Sequence, residues 1–198
     1  MESYKTIIRE GQAEFKDRGS RFLAIAFPVQ SAEEFKSRLA SIKKEHPKAN
    51  HHCFAYRIGT DGNLFRVSDD GEPSGSAGRP ILGQLDSMQI TNTGVVVVRY
   101  FGGTLLGVPG LINAYKTATA LALQMSPIVE KDIETVYNIG CTYNDLNDVM
   151  RIVKLCNGSV LTNDNGLFCQ MKISIPINRK EQAEGLLAGL YQVECKPA

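Results

Sequence analysis

The 198-residue chain reads as an α+β protein of two domains, 1–128 and 133–198. Three observations predict this. The first 128 residues hold several strand patterns and strongly amphipathic helices. Pro127 and the charged Glu130-Lys131-Asp132 then mark a linker or boundary. Beyond it the elements run strand, helix, strand, strand, helix, strand, which is the order of the ferredoxin-like split βαβ arrangement.

Apolar spacing predicts strands over 6–14 and 20–29, joined by a turn at 17–19. Ser31 followed by Glu34 is a capping box, and Phe35, Leu39 and Ile42 form one buried helical stripe that stops before Pro47. Residues 53–58 and 64–67 read as a hairpin across Thr60-Asp61-Gly62-Asn63. The segment 68–80, SDDGEPSGSAGRP, is rich in glycine and proline and leads into a helical pattern at Ile81, Leu82 and Leu85. The valine run 95–98 is the signature of a strand buried on both faces. A second glycine-rich stretch, RYFGGTLLGVPG at 99–110, feeds a helix with Leu111, Tyr115, Ala118, Ala122 and Met125 on one side.

In the second half, 135–143 is a strand. Leu146, Val149, Met150 and Val153 form a helical stripe closed by Asn157-Gly158. Residues 159–162 and 168–175 read as a hairpin across 163–166. Asn178 and Glu181 pair as a cap for a helix through Ala183, Leu186, Leu187 and Leu190, and 192–196 closes the sheet.

The composition, 43% hydrophobic and 22% charged, is that of a folded domain and excludes wholesale disorder. With 22 basic and 21 acidic side chains there is no polybasic arm. Residues 1–128 carry 15 basic and 12 acidic groups, the remainder 7 and 9, so an anion-binding surface belongs to the first domain. No apolar run is long enough for a membrane span, and the start, MESYKTIIREGQ, lacks the apolar core of a signal peptide. No membrane association and a cytoplasmic location are therefore expected. The five cysteines, Cys53, Cys141, Cys156, Cys169 and Cys195, contain no C-x-x-C pair, which argues for reduced, partly buried thiols rather than a disulfide framework or a zinc site.

The informative residues lie in the two glycine-rich segments, each at a strand-to-helix junction. Glycine permits positive φ and close backbone approach there, and successive amides ahead of a helix form an anion-binding nest. The candidate ligand-binding set is Asp69, Asp70, Gly71, Glu72, Ser74, Gly75, Ser76, Gly78 and Arg79 from the first, with Arg99, Tyr100, Gly102, Gly103, Thr104 and Gly107 from the second. The competing reading is that these glycines only make tight turns. No G-x-x-x-x-G-K-[ST] occurs, which disfavours nucleotide hydrolysis. His51, His52, Asp69, Asp70 and Glu72 form the alternative candidate, a metal or acid–base cluster for a peptidase-like or phosphoester hydrolase. Adjacent histidines on a strand point to opposite faces, there is no H-E-x-x-H, and EPSGSAG is not a nucleophile elbow, so neither a metal nor a catalytic residue is assigned. Asp69 or Asp70 has a further role open to it, bonding the backbone of the glycine loop. Cys53 reads as core. Phe54, Tyr56, Phe65, Tyr100 and Phe101 would stack on bases if exposed.

The stretches His52-Cys53-Phe54-Ala55-Tyr56-Arg57, DDGEPSG-x-AG at 69–78 and RYFGG-x-x-LG at 99–107, with the helix start Gly110-Leu111-Ile112-Asn113-Ala114-Tyr115, resemble the IMPACT family, including its bacterial YigZ-type members. The resemblance spans most of residues 1–128, and the last 70 residues resemble the small C-terminal domain of the bacterial members. It implies an N-terminal α/β sandwich like that of a ribosomal small-subunit protein and domain IV of elongation factor G, and a ferredoxin-like C-terminal domain. It also implies a surface pocket with no established chemistry. Eukaryotic relatives look like translation regulators that bind the activator of a stress-response kinase and carry an added N-terminal domain, which is not expected here. The expected function is a cytosolic, non-catalytic binding protein connected with translation or RNA, without a cofactor. RNA, the ribosome or an acidic protein is the expected partner, and a pure protein-interaction adaptor is a further alternative.

Overall fold

The computed structural model describes residues 2–165 and 168–198. It divides into two compact units, residues 4–131 and residues 132–198 with the first three residues.

In the larger unit, β2 (Gly11–Asp17), β3 (Ser20–Pro28), β4 (His51–Ile58), β5 (Leu64–Ser68) and β6 (Thr93–Tyr100) form one sheet in the order β2-β3-β6-β4-β5. Every neighbouring pair is antiparallel. The central strand is the valine run. Val95 and Val97 pack beneath α2 (Gly78–Ser87) and α3 (Gly107–Gln124), while Val96 and Val98 pack on the opposite face against α1 (Ala32–Glu45). A side-chain period of two on a strand sandwiched between helices makes both sets apolar, which is why alternation is absent.

Helix α1 starts as its sequence dictates: the Glu34 amide donates to Ser31 Oγ at 3.1 Å. The return arm of the capping box differs, because Glu34 Oε2 accepts from the Gln30 amide instead of that of Ser31. Phe35 stacks on Phe27 and lies over Gly94, where a Cβ would meet its ring. Three expectations are corrected in this unit. The strand expected over 6–14 is two strands, β1 (Ser3–Ile7) and β2, separated at 8–10. The linker expected at Glu130-Lys131-Asp132 is strand β7 (Ile128–Asp132), paired with β1 in a two-stranded sheet. Met125 follows α3 and is exposed, since the buried stripe turns instead through Ala114, Thr119 and Leu123.

The smaller unit runs β8 (Glu134–Cys141), α4 (Leu146–Leu155), β9 (Ser159–Asn165), β10 (Cys169–Pro176), α5 (Lys180–Ala188) and β11 (Glu194–Pro197), in the sheet order β11-β8-β10-β9. Helix α4 ends in a Schellman motif: Asn157 takes positive φ, its amide donates to the Lys154 carbonyl, and the Gly158 amide donates to that of Val153. Met150 is exposed, and Ile152 takes its place in the buried stripe. Of the turn expected at 163–166, residues 163–165 belong to β9, and Gly166 lies outside the described residues. The cap expected from Asn178 and Glu181 is absent. A 3-10 turn over Ile177–Arg179 precedes α5, and Asn178 donates to Glu2 instead. Among the described residues, no helix is long and apolar enough to cross a membrane.

We propose that the two compact units are separate folding domains. Phe35, 1% exposed, anchors only the larger one, and Phe35→Ala should cost about 3–5 kcal/mol. Hydrogen exchange should then show faster opening across residues 4–131, with 132–198 at wild-type protection. An equal loss in both segments would refute separate folding.

Candidate functional site

Both glycine-rich segments leave the same end of the five-stranded sheet. There β6 ends opposite the starts of β3 and β4, with Arg21 facing Tyr100 and His51 facing Arg99. The first segment folds as two successive tight turns. The Glu72 amide donates to the Asp69 carbonyl across Asp70 and Gly71, both at positive φ, as in a type I′ turn. The Ser76 amide and hydroxyl both donate to the Pro73 carbonyl, with Gly75 at positive φ.

Asp69 organises this loop. Its Oδ1 accepts from the amides of Ala77 (3.0 Å) and Gly78 (2.8 Å), and its Oδ2 from that of Gly75 (2.9 Å). The residue before α2, Ala77, has no capping side chain, so Asp69 caps the helix from eight residues upstream. Burial disfavours its charge, but the three amides outweigh burial and hold its carboxyl below the ordinary aspartate range. The amides ahead of α2 that the sequence offers to an anion are taken by the protein's own carboxylate.

Glu72 enters the interior. Its Oε1 accepts from Arg99 Nη1 at 2.6 Å and from the Tyr115 hydroxyl at 2.7 Å, and both charged side chains are about 95% buried. Arg99 lies between the rings of Phe22 and Phe101 at 5.3 and 5.5 Å, and its Nη2 donates to Ser20 Oγ at 3.4 Å. Ser20 Oγ in turn accepts from the Gly102 amide at 3.2 Å. A continuous polar chain therefore runs from the first glycine loop to the second. Gly102 has no alternative at its position, because a Cβ there would overlap the backbone of Gly19 and Ser20. Next to this chain, Cys53 Sγ donates to the Asp69 carbonyl at 2.9 Å. Burial pushes the Cys53 thiol far up, with Tyr115 working against it, and burial likewise raises the Tyr115 hydroxyl.

The candidate residues divide accordingly. Glu72, Ser76, Gly78 and Arg99 are held inside and Asp69 is half-buried; Arg99 is no surface donor, being 5% exposed and neutralised by Glu72. Ser74, Arg79, Gly103, Thr104 and Gly107 are exposed. Tyr100 bonds His46 Nδ1 at 2.8 Å beneath the Arg21 guanidinium. Asp70 accepts from the His52 amide, lies 3.8 Å from Lys43, and offers its carbonyl to His51 Nδ1. His51 and His52 do diverge: His51 Nε2 is 3.9 Å from Glu72, while His52 Nε2 faces the His46 carbonyl, and burial holds His52 below its ordinary value. Among the described residues, no three His, Cys, Asp or Glu side chains group to hold a metal. Of the aromatics, Phe65 and Phe101 are exposed and Tyr56 is buried. Sequence reasoning missed Ser20 and Asn50, whose Oδ1 accepts from the Phe101 amide. It placed Tyr115 only in a packing stripe. A phenol within an otherwise apolar stripe was the available signal.

The Impact N-terminal domain family model matches residues 18–123, a span that holds both glycine-rich loops and the polar chain between them. The IMPACT family member YigZ of Escherichia coli is 34% identical over 171 residues, covering 85% of this chain and 84% of that protein. A Saccharomyces cerevisiae IMPACT homolog is 38% identical over 94 residues, 46% of this chain and 36% of that protein. A solved structure described as a hypothetical protein superposes with a TM-score of 0.75 at 31% identity, covering 98% of this chain and 97% of that one. The chain belongs to the IMPACT family.

Asp69 gives a pH test. Its native carboxyl lies below its unfolded value of about 3.9, so its stabilisation is complete above that pH and is lost as pH falls through the lowered native value. Asp69→Asn should cost about 1–3 kcal/mol at neutral pH and flatten the acid limb of the stability curve. A variant with the wild-type acid limb would remove Asp69 from this role.

Proposed function

We propose that the chain is a cytosolic, non-catalytic binding protein of the translation apparatus, and that the end of the sheet carrying the two glycine-rich loops is its working surface. One observation carries the reading: the acidic groups there are committed to holding the loops in place. Asp69 is spent on three amides, Glu72 on Arg99 and Tyr115, and the nearby Cys53 thiol on a carbonyl. That is the economy of a scaffold that presents a surface rather than of a site that turns over bonds. The hydrolase reading, which rested on the same His, Asp and Glu residues, finds no support in it.

The ligand chemistry is that of an anion. The exposed donors are Ser74, Arg79 and Thr104, with the open backbone at Gly103 and the start of α3, where Leu106 supplies no capping side chain. RNA or the ribosome is the partner this favours, in line with the translation role that the family resemblance implies. An antiparallel sheet flanked by α1 on one face and α2 and α3 on the other suits the domain IV-like sandwich. The order β11-β8-β10-β9 with helices between suits a ferredoxin-like second unit. A second reading, an adaptor for a protein, is favoured by the exposure of Phe101, Leu105, Val108 and Ile112 beside the second loop, Leu105 being 81% exposed.

The test is retention of the full chain on ribosomes and on RNA across a salt series. Binding should weaken steeply with salt, and Arg79→Ala should reduce the slope by about one unit with an unchanged Tm. Arg99 is unsuitable as the probe because its loss breaks a buried pair. Wild-type slope and affinity in Arg79→Ala would sink the RNA reading. Binding lost instead in Leu105→Asp would transfer the surface to a protein partner.

A further inference from the structure

Two of the five cysteines face each other across adjacent strands. Cys141, the last residue of β8, pairs in register with Cys169, the first residue of β10. The inward residues of β8 are Tyr137, Ile139 and Cys141, and those at the start of β10 are Cys169, Met171 and Ile173, so both thiols point into the same core. Directly opposed residues of an antiparallel pair have Cα atoms about 4.5–5.5 Å apart, inside the roughly 4.4–6.8 Å range that a disulfide spans. Burial first, and then the neighbouring Cys169 thiol, raises Cys141 above its ordinary value. Both are reduced in the structure, at 3% and 0% exposure.

We propose that Cys141 and Cys169 are a modification site, a dithiol that closes to a cross-strand disulfide under peroxide. One thiol, as its thiolate, attacks the O–O bond of hydrogen peroxide, forming a sulfenic acid and releasing one water after proton uptake. The facing thiol then attacks that sulfur, the S–S bond forms, and the second oxygen leaves as water. Two thiols are oxidised, one peroxide is reduced, and two waters are produced. Access comes from the position of the pair at strand ends, where local opening needs far less than global unfolding. The bond would tie β8 to β10 and close a covalent loop around α4 and β9, restricting the unfolded chain. The other three cysteines lack such a partner: Cys53 bonds Asp69 and Tyr115, Cys156 ends α4, and Cys195 lies on β11 opposite Ile139.

The test treats the folded full chain with hydrogen peroxide, denatures it, alkylates the remaining thiols and maps peptides by mass. The expected result is a linked pair of peptides carrying Cys141 and Cys169, a mass loss of two hydrogens, three alkylated cysteines, and a raised Tm that dithiothreitol reverses. Cys141→Ala and Cys169→Ala should each abolish the link, and Cys156→Ala should leave it. Peptide mapping of the wild type decides the matter even if a variant folds poorly. Five alkylated thiols after exposure that oxidises a model dithiol peptide would overturn the proposal, as would a link through any other cysteine.

Discussion

A carboxylate and a guanidinium buried together are tolerable only when each supplies what the other lost on leaving water. Glu72 and Arg99 meet most of that condition at 2.6 Å, with Tyr115 and Ser20 contributing further hydrogen bonds, while Arg99 Nε stays buried without a partner. The consequence reaches past the pair. Glu72 belongs to one glycine-rich loop and Arg99 to the strand that launches the other, so the same interaction fixes both loops at the end of the sheet. Asp69 completes the arrangement by closing the first loop on the start of α2. The surface that remains combines open backbone and a few exposed donors with the exposed apolar side chains of Phe101, Leu105, Val108 and Ile112.

The parts of the fold that the sequence made legible are those set by period and by local chemistry. The valine run announced a strand covered on both faces, and Ser31 and Asn157 announced helix ends. The differences in strand layout fall where long-range pairing decides. Strand β7 was hidden because Glu130-Lys131-Asp132 is polar on an exposed two-stranded ribbon, whose partner lies more than a hundred residues earlier. The break at 8–10 was hidden because exposed Ile8 continues the apolar pattern of β1 without being buried.

The candidate site was legible in location and partly inverted in roles. Glycine spacing marked both loops, and Asp69 was one of two aspartates open to bonding the loop backbone. The side of the surface on which each charge falls was not available, because it depends on sheet register. Arg99 reads as a donor in a glycine-rich motif until its neighbours in β3 and β4 are known. Then the small Ser20 and the rings of Phe22 and Phe101 leave room for the guanidinium to turn inward. The proposed anion recognition rests instead on Ser74, Arg79, Thr104 and the open backbone of the second loop.

That assignment stands on the claim that Glu72 and Arg99 act as one structural unit joining the loops. A double-mutant cycle with Glu72→Gln, Arg99→Met and the pair, read by denaturant unfolding and by amide exchange at residues 69–78 and 101–107, tests it directly. Each single change should cost about 3–5 kcal/mol, because it strands a buried polar partner. The double change should cost far less than their sum, and either single change should loosen both loops. Additive effects within about 0.5 kcal/mol, or loosening confined to the mutated loop, would contradict it.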